Sequence, residues 1–172
     1  MRLLLTHGTA AGWLAGAAIL APGDRQEWLP WDTRDAVARF VQHFRPAVGL
    51  LMETEIWPNL VQACERQQIP LYLVNARKSL RSFATAYRKR LLAGPAYRGL
   101  AGVLAQAGAD ASKLAALGAP VIAVTGNIKF DARPAPRQLL QGRTWRRLAR
   151  GPVLMLASSR EGEEDAFVQA LR

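Results

Sequence analysis

Two carboxylates, Glu53 and Glu55, stand where an apolar strand gives way to a helix. The strand reads Val48-Gly49-Leu50-Leu51-Met52 and follows Arg45-Pro46. Trp57-Pro58-Asn59-Leu60 then opens the helix, with proline in the first turn, where a missing N–H costs nothing. Strand, acidic turn and helix make the first half of a βαβ unit. Ligands of open α/β sheets bind beyond the carboxyl ends of the strands, so the pair could place negative charge in a binding crevice. Equally, the two residues could do no more than favour the first helical turn through the macrodipole. Other groups that could do chemistry close later strands: Arg77 after Asn75-Ala76, and Lys129 in Gly126-Asn127-Ile128-Lys129-Phe130-Asp131. His7-Gly8-Thr9-Ala10-Ala11-Gly12 could cradle an anion on backbone N–H groups. Its spacing matches neither a P-loop nor a dinucleotide fingerprint.

Regular alternation positions these groups. Strands are expected at Leu3–Thr6, Glu27–Pro30, Val48–Met52, Ile69–Val74, Leu100–Ala105, Val121–Thr125 and Pro152–Ala157. Helices are expected from about Trp13 to Leu20, to Phe44 behind an Asp32 or Thr33 cap, over Pro58–Gln67, from Ser79 to about Leu92, within Gln106–Leu117, over Arg137–Arg150, and from Glu161 onward. Such alternation predicts an α/β fold: a Rossmann-like parallel, doubly wound sheet with helices on both faces. Composition shifts at Ala132-Arg133-Pro134-Ala135-Pro136, which reads as a linker. Residues 1–131 are then one partial domain and 137–172 the start of a second Rossmann-like domain.

Half of the 172 residues are hydrophobic, enough for a sizeable core. The formal charge of +10 points to an anionic partner, whether nucleic acid, a phospholipid surface or a phosphorylated ligand. The lone cysteine, Cys64, can form no internal disulfide and has no histidine near it in sequence. The apolar stretch from Ala10 to Ala21 is shorter than the roughly 20 residues a membrane-spanning helix needs.

Three separated segments together resemble one family. They are Met52-Glu53-Thr54-Glu55-Ile56-Trp57-Pro58-Asn59-Leu60, Val124 through Asp131, and Ser158-Ser159-Arg160-Glu161-Gly162-Glu163-Glu164. Asn75-Ala76-Arg77 with Ser79, and Ala116-Leu117-Gly118-Ala119, add to the likeness. The chain resembles the Kdo transferases of lipopolysaccharide assembly, GT-B glycosyltransferases that move 3-deoxy-D-manno-octulosonic acid from CMP-Kdo to lipid A precursor. The resemblance implies that Glu53 and Lys129 stabilise the transition state. Lys129 would neutralise the donor carboxylate or departing phosphate, and Glu53 would offset positive charge at the anomeric centre or orient the acceptor hydroxyl. It also implies substrate contacts from Glu55, Arg77, Asn127, Ser158, Ser159 and Glu161. No metal and no cofactor beyond the donor CMP-Kdo is expected.

Departures from the family pattern set further expectations. Arg160 stands where the family usually has histidine. The family's membrane anchor, the glutamate that serves as its general base, and most of its CMP pocket have no counterpart here, so the chain is expected to be truncated at both ends and inactive alone. The implied setting is the cytoplasmic face of the bacterial inner membrane, against its anionic surface. The competing readings are a basic nucleic-acid-binding module, on the face formed by Arg143, Arg146, Arg147 and Arg150, or a peripheral membrane-binding one through Arg77–Arg98 and Arg137–Arg150. No specific nucleic-acid motif accompanies the charge.

Overall fold

A computed structural model describes residues 2–171. One compact unit runs to Phe130, and a second begins at Asp131. In the first unit strands and helices alternate: β1 (Leu4–His7), α1 (Ala10–Ala17), β2 (Arg25–Trp28), α2 (Arg34–Phe44), β3 (Gly49–Met52), α3 (Pro58–Arg66), β4 (Leu71–Ala76), α4 (Leu80–Arg88), α5 (Arg90–Arg98), β5 (Gly102–Ala105), α6 (Gly108–Ala116) and β6 (Val121–Val124). A single 3₁₀ turn, Ile128–Asp131, follows. Every strand pair is parallel, as the alternation predicts.

The strands form two sheets rather than one. β1 pairs with β2 alone, while β3-β4-β5-β6 make a four-stranded sheet in sequential order. The burial pattern agrees with period-two alternation. Leu51, Leu71, Leu73 and Val103 are buried, together with Leu60, Val61 and Cys64 of α3, Val37 and Val41 of α2, Tyr97 of α5 and Leu114 of α6. Leu50, Met52, Ile122 and Val124, at the alternate positions of the edge strands, are exposed.

Two local readings are corrected by tertiary contacts. Thr33 occupies the N-cap position of α2 without a side-chain bond, and Asp32 caps a different helix. Its carboxylate accepts the N–H groups of Asn59 at 3.1 Å and Leu60 at 2.9 Å, closing the N-terminus of α3. The basic stretch expected as one helix from Ser79 to Leu92 is two, broken at Lys89, whose φ of −101° and ψ of 25° leave the helical region. The second continues to Arg98.

In the second unit, α7 (Pro136–Leu148) and α8 (Glu163–Ala170) are helical. The strand expected at Pro152–Ala157 does not form. A strand needs a ladder partner, and the unit contains no other strand among the described residues. Val153, Leu154 and Met155 are accordingly exposed.

Candidate functional site

Because β3 to β6 are parallel, the residues that follow each of them lie along one edge of the sheet. Glu53 follows β3, Arg77 follows β4, Gln106 follows β5, and Asn127 to Lys129 follow β6. Glu53 sits in a tight turn in which the Glu55 N–H donates to the Met52 carbonyl at 3.1 Å. Its φ of +56° is left-handed, a conformation uncommon outside glycine. Strain of this kind concentrates at functional sites when surrounding bonds enforce it. Here the Glu53 N–H donates to the Val74 carbonyl at 3.0 Å, and the Glu53 carbonyl accepts the Arg77 N–H at 3.3 Å.

The side chain of Glu53 does not serve the helix that follows. Asp32 already satisfies the first N–H groups of α3, and no acidic residue occupies that helix's first turn. Glu53 Oε2 instead accepts a hydrogen bond from Arg77 Nε at 3.0 Å, and a terminal guanidinium nitrogen lies 2.8 Å from the same oxygen. The pair is partly solvated, with side-chain exposures of 54% for Arg77 and 29% for Glu53. A partly solvated ion pair of this kind adds little stability. Glu55 is exposed and makes no side-chain hydrogen bond or ion pair among the described residues.

Asn75 joins this corner to the lysine turn. It is 3% exposed, and its φ of +51° is again left-handed. Asn75 Oδ1 accepts the Ile128 N–H at 3.2 Å, and its carbonyl accepts from Gln106 Nε2 at 2.9 Å. Asn127 Oδ1 accepts the Lys129 N–H at 3.0 Å, folding the turn on itself. Three strand ends are thereby tied at one residue: β4 through Asn75 itself, β5 through the Gln106 side chain on its carbonyl, and β6 through Ile128 on its side-chain amide. Lys129 is exposed, and its ammonium has no ion pair among the described residues. Glu53 and Lys129 thus both follow strands at the carboxyl edge of the four-stranded sheet.

Beside this edge a second polar cluster anchors α6. Asp110 accepts the Lys78 N–H at 2.9 Å and a bond from Lys113 Nζ at 2.8 Å, while Lys113 also reaches the Lys78 carbonyl. Burial pushes Asp110 up, but the bonds from Lys113 and the Lys78 N–H outweigh it and hold the carboxyl below its usual range. Cys64 is inert by contrast, because burial pushes its thiol up. No group of three or more His, Cys, Asp or Glu residues is placed to hold a metal among the described residues.

Ser158, Ser159 and Glu161 belong to the second unit. Ser158 is exposed at φ +61°. Ser159 Oγ donates to Glu164, which lowers that carboxyl, and the Arg160 N–H donates to Glu163 Oε2 at 3.0 Å. Ser159 is thereby tied to the first turn of α8. Glu161 is exposed.

Reading residue types along the sequence misses Asn75, Gln106, Asp110 and Lys113 as members of this network. The one available signal was an asparagine closing a strand, since asparagine tolerates the left-handed region better than most residues.

The family described as 3-deoxy-D-manno-octulosonic-acid transferase (kdotransferase) matches residues 1–132. The chain belongs to this Kdo transferase family. A 3-deoxy-D-manno-octulosonic acid transferase of Bordetella pertussis is 42% identical over 174 residues, covering 98% of this chain and 41% of the relative. The Haemophilus influenzae enzyme of the same description is 29% identical across 84% of this chain and 35% of its own length. A probable mitochondrial 3-deoxy-D-manno-octulosonic acid transferase of Arabidopsis thaliana is 37% identical across 48% of this chain and 19% of its own length. The chain thus spans about two fifths of the length of the Bordetella relative. The resemblance carried by residues 52–60 and 124–131 is borne out, and the α/β Kdo transferase fold with it. No feature of this family supports the nucleic-acid reading.

Proposed function

We propose that the chain forms the acceptor-side part of a GT-B glycosyltransferase that moves Kdo from CMP-Kdo to lipid A precursor, with inversion. The observation that carries this reading is that Glu53, paired with Arg77, and the Ile128–Lys129 turn, tethered to Asn75, both lie at the carboxyl edge of one parallel sheet. That arrangement gathers an anionic and a cationic side chain on one sheet edge of a Kdo transferase family member. Lys129 would neutralise the sugar carboxylate or the departing phosphate. Glu53, paired with Arg77, would face the positive charge that develops at the anomeric carbon. Arg77 is the second cation available to an anionic substrate group, Asn127 shapes the lysine turn, and Glu55 stands exposed beside Glu53. Ser158, Ser159 and Glu161 would contribute to the donor side. Two compact units, dividing at Asp131, suit a two-domain transferase, and the reading calls on no cofactor. No helix among the described residues is long and apolar enough to cross a membrane. In this reading the charge of +10 holds the chain at the anionic cytoplasmic face of the inner membrane.

A chimaera tests the proposal. Residues 1–172 replace the matching stretch of the Bordetella pertussis transferase, and Kdo transfer is measured after a melting curve confirms folding. The chimaera should be active, and Glu53→Ala and Lys129→Ala should each lower turnover by about a hundredfold or more. A folded chimaera without transfer overturns the function. An active one indifferent to both substitutions overturns the residue roles.

A further inference from the structure

The turn after β2 displays a tryptophan that the core does not use. Trp31 is 86% exposed, and Trp28, closing β2, is 50% exposed. A lone apolar residue on a surface needs no explanation by itself. What sets Trp31 apart is how firmly its turn is held. The Thr33 N–H donates to the Trp31 carbonyl at 2.7 Å, a three-residue turn about Asp32. The Asp32 carboxylate accepts the Asn59 and Leu60 N–H groups, and its carbonyl accepts from Asn59 Nδ2. On the other side of Trp31, Leu29 packs against the core, and its N–H donates to the His7 carbonyl at 3.0 Å. The backbone is anchored before and after Trp31 while the indole stays in solvent. A ring with two side-chain torsions on a preorganised turn loses little entropy on binding.

The bonds of Asp32 set this turn at the N-terminus of α3. The N-cap of that helix, Trp57, is two residues beyond Glu55. Glu55 offers an exposed carboxylate without a partner among the described residues, and Thr33 makes no side-chain cap bond. Trp28 is stacked on Trp13, with centroids 4.9 Å apart and planes at 17°. An indole face carries negative charge density, which the weakly positive C–H groups on one face of a pyranose ring complement. The hydroxyls of such a ring can donate to a carboxylate and exchange hydrogen bonds with a threonine. An acyl chain uses neither group, and Glu55 repels an anionic lipid surface.

We propose that Trp31, with Trp28 three positions before it, is the stacking surface for a pyranose ring of the acceptor, with Glu55 and Thr33 binding ring hydroxyls. Assignment of the sugar to the acceptor rests on the sugar-transfer reading; the stacking itself is measured apart from it.

Saturation-transfer NMR on the 172-residue chain measures the stacking, with chitobiose as the pyranose probe and glycerol as a polyol without a ring. Saturation should pass to the ring C–H protons of chitobiose and not to glycerol. Trp31→Ala should weaken chitobiose binding about tenfold, and Trp31→Phe should restore part of it. Trp145→Ala, which removes another exposed indole, should leave it unchanged. No chitobiose signal, a signal that Trp31→Ala retains, or one that Trp145→Ala loses equally overturns the proposal. So does a Trp31→Ala chain that melts below wild type, since the indole would then be a packing residue. Trp31-dependent binding of phosphatidylcholine vesicles without binding of chitobiose would make the residue a lipid anchor and overturns it too. In the chimaera described above, Trp31→Ala should raise the acceptor KM about tenfold and leave turnover and the donor KM unchanged. An active chimaera with an unaltered acceptor KM overturns the acceptor assignment. An inactive chimaera beside Trp31-dependent chitobiose binding supports the sugar surface and counts against transfer alone.

Discussion

Replacing Asn75 separates two roles that its side chain plays at once. Asn75→Ala deletes the acceptor for the Ile128 N–H, which is worth about 1 kcal/mol net. The freed N–H belongs to an exposed residue and can find water, which keeps that loss at the low end. Alanine must also hold φ near +51°, where a Cβ costs about 1 to 2 kcal/mol without a local side-chain bond to offset it. The alanine variant should therefore lose about 2 to 3 kcal/mol of stability. Asn75→Gly loses the same acceptor but adopts positive φ freely, at an entropic cost of about 0.5 to 1 kcal/mol. Glycine should thus be the milder change by about 1 kcal/mol, the reverse of the usual order inside a strand. Urea unfolding measures the totals. Amide hydrogen exchange measures the tether, since losing about 1 kcal/mol of local protection speeds exchange at Ile128 roughly fivefold. An alanine variant as stable as the glycine one would refute the backbone account. Unchanged exchange at Ile128 in both would refute the tether.

Four other outcomes follow from the same contacts. Lys113 and the Lys78 N–H hold the Asp110 carboxyl below the ordinary carboxylate range in the folded chain, so its contribution is complete above the unfolded pKa and disappears as pH falls through the folded one. Asp110→Asn should flatten the acid limb of a stability–pH curve below about pH 5, and an unchanged limb would contradict this. Asp32→Ala should cost about 1 to 2 kcal/mol by uncapping α3, as read from the denaturation midpoint, with Asp32→Asn retaining much of it. Leu73, 1% exposed at the centre of the core, should cost about 3 kcal/mol as alanine in the same assay. Cys64, 3% exposed with its thiol pushed up by burial, should resist alkylation at pH 8 until the chain unfolds, so that labelling tracks the unfolding transition.

What the sequence determined by itself was carried by near neighbours. The apolar runs around Leu51, Leu73 and Val103 and the alternating helical stretches declare a parallel α/β fold, because parallel strands must be joined by crossovers and buried by helices. Pro58 marks the start of α3 because its missing N–H is harmless only there. The segments 52–60 and 124–131 placed the chain among the Kdo transferases.

The tertiary structure decided everything that joins residues distant in the chain. Asp32 stands beside α2 yet caps α3, and a local capping rule has no means of choosing between two helix ends that packing brings together. Glu53 looks like a helix-start acid until β3–β4 register sets Arg77 against it, 24 positions away. Asn75 shows its purpose only when β6 brings the Ile128 N–H to it across 53 positions. Pro152–Ala157 has the composition of a strand, yet composition supplies no ladder partner, and the segment stays open. Strand register and helix docking are settled by the whole core, so pairings of this kind are set by the assembled fold rather than by any window of sequence.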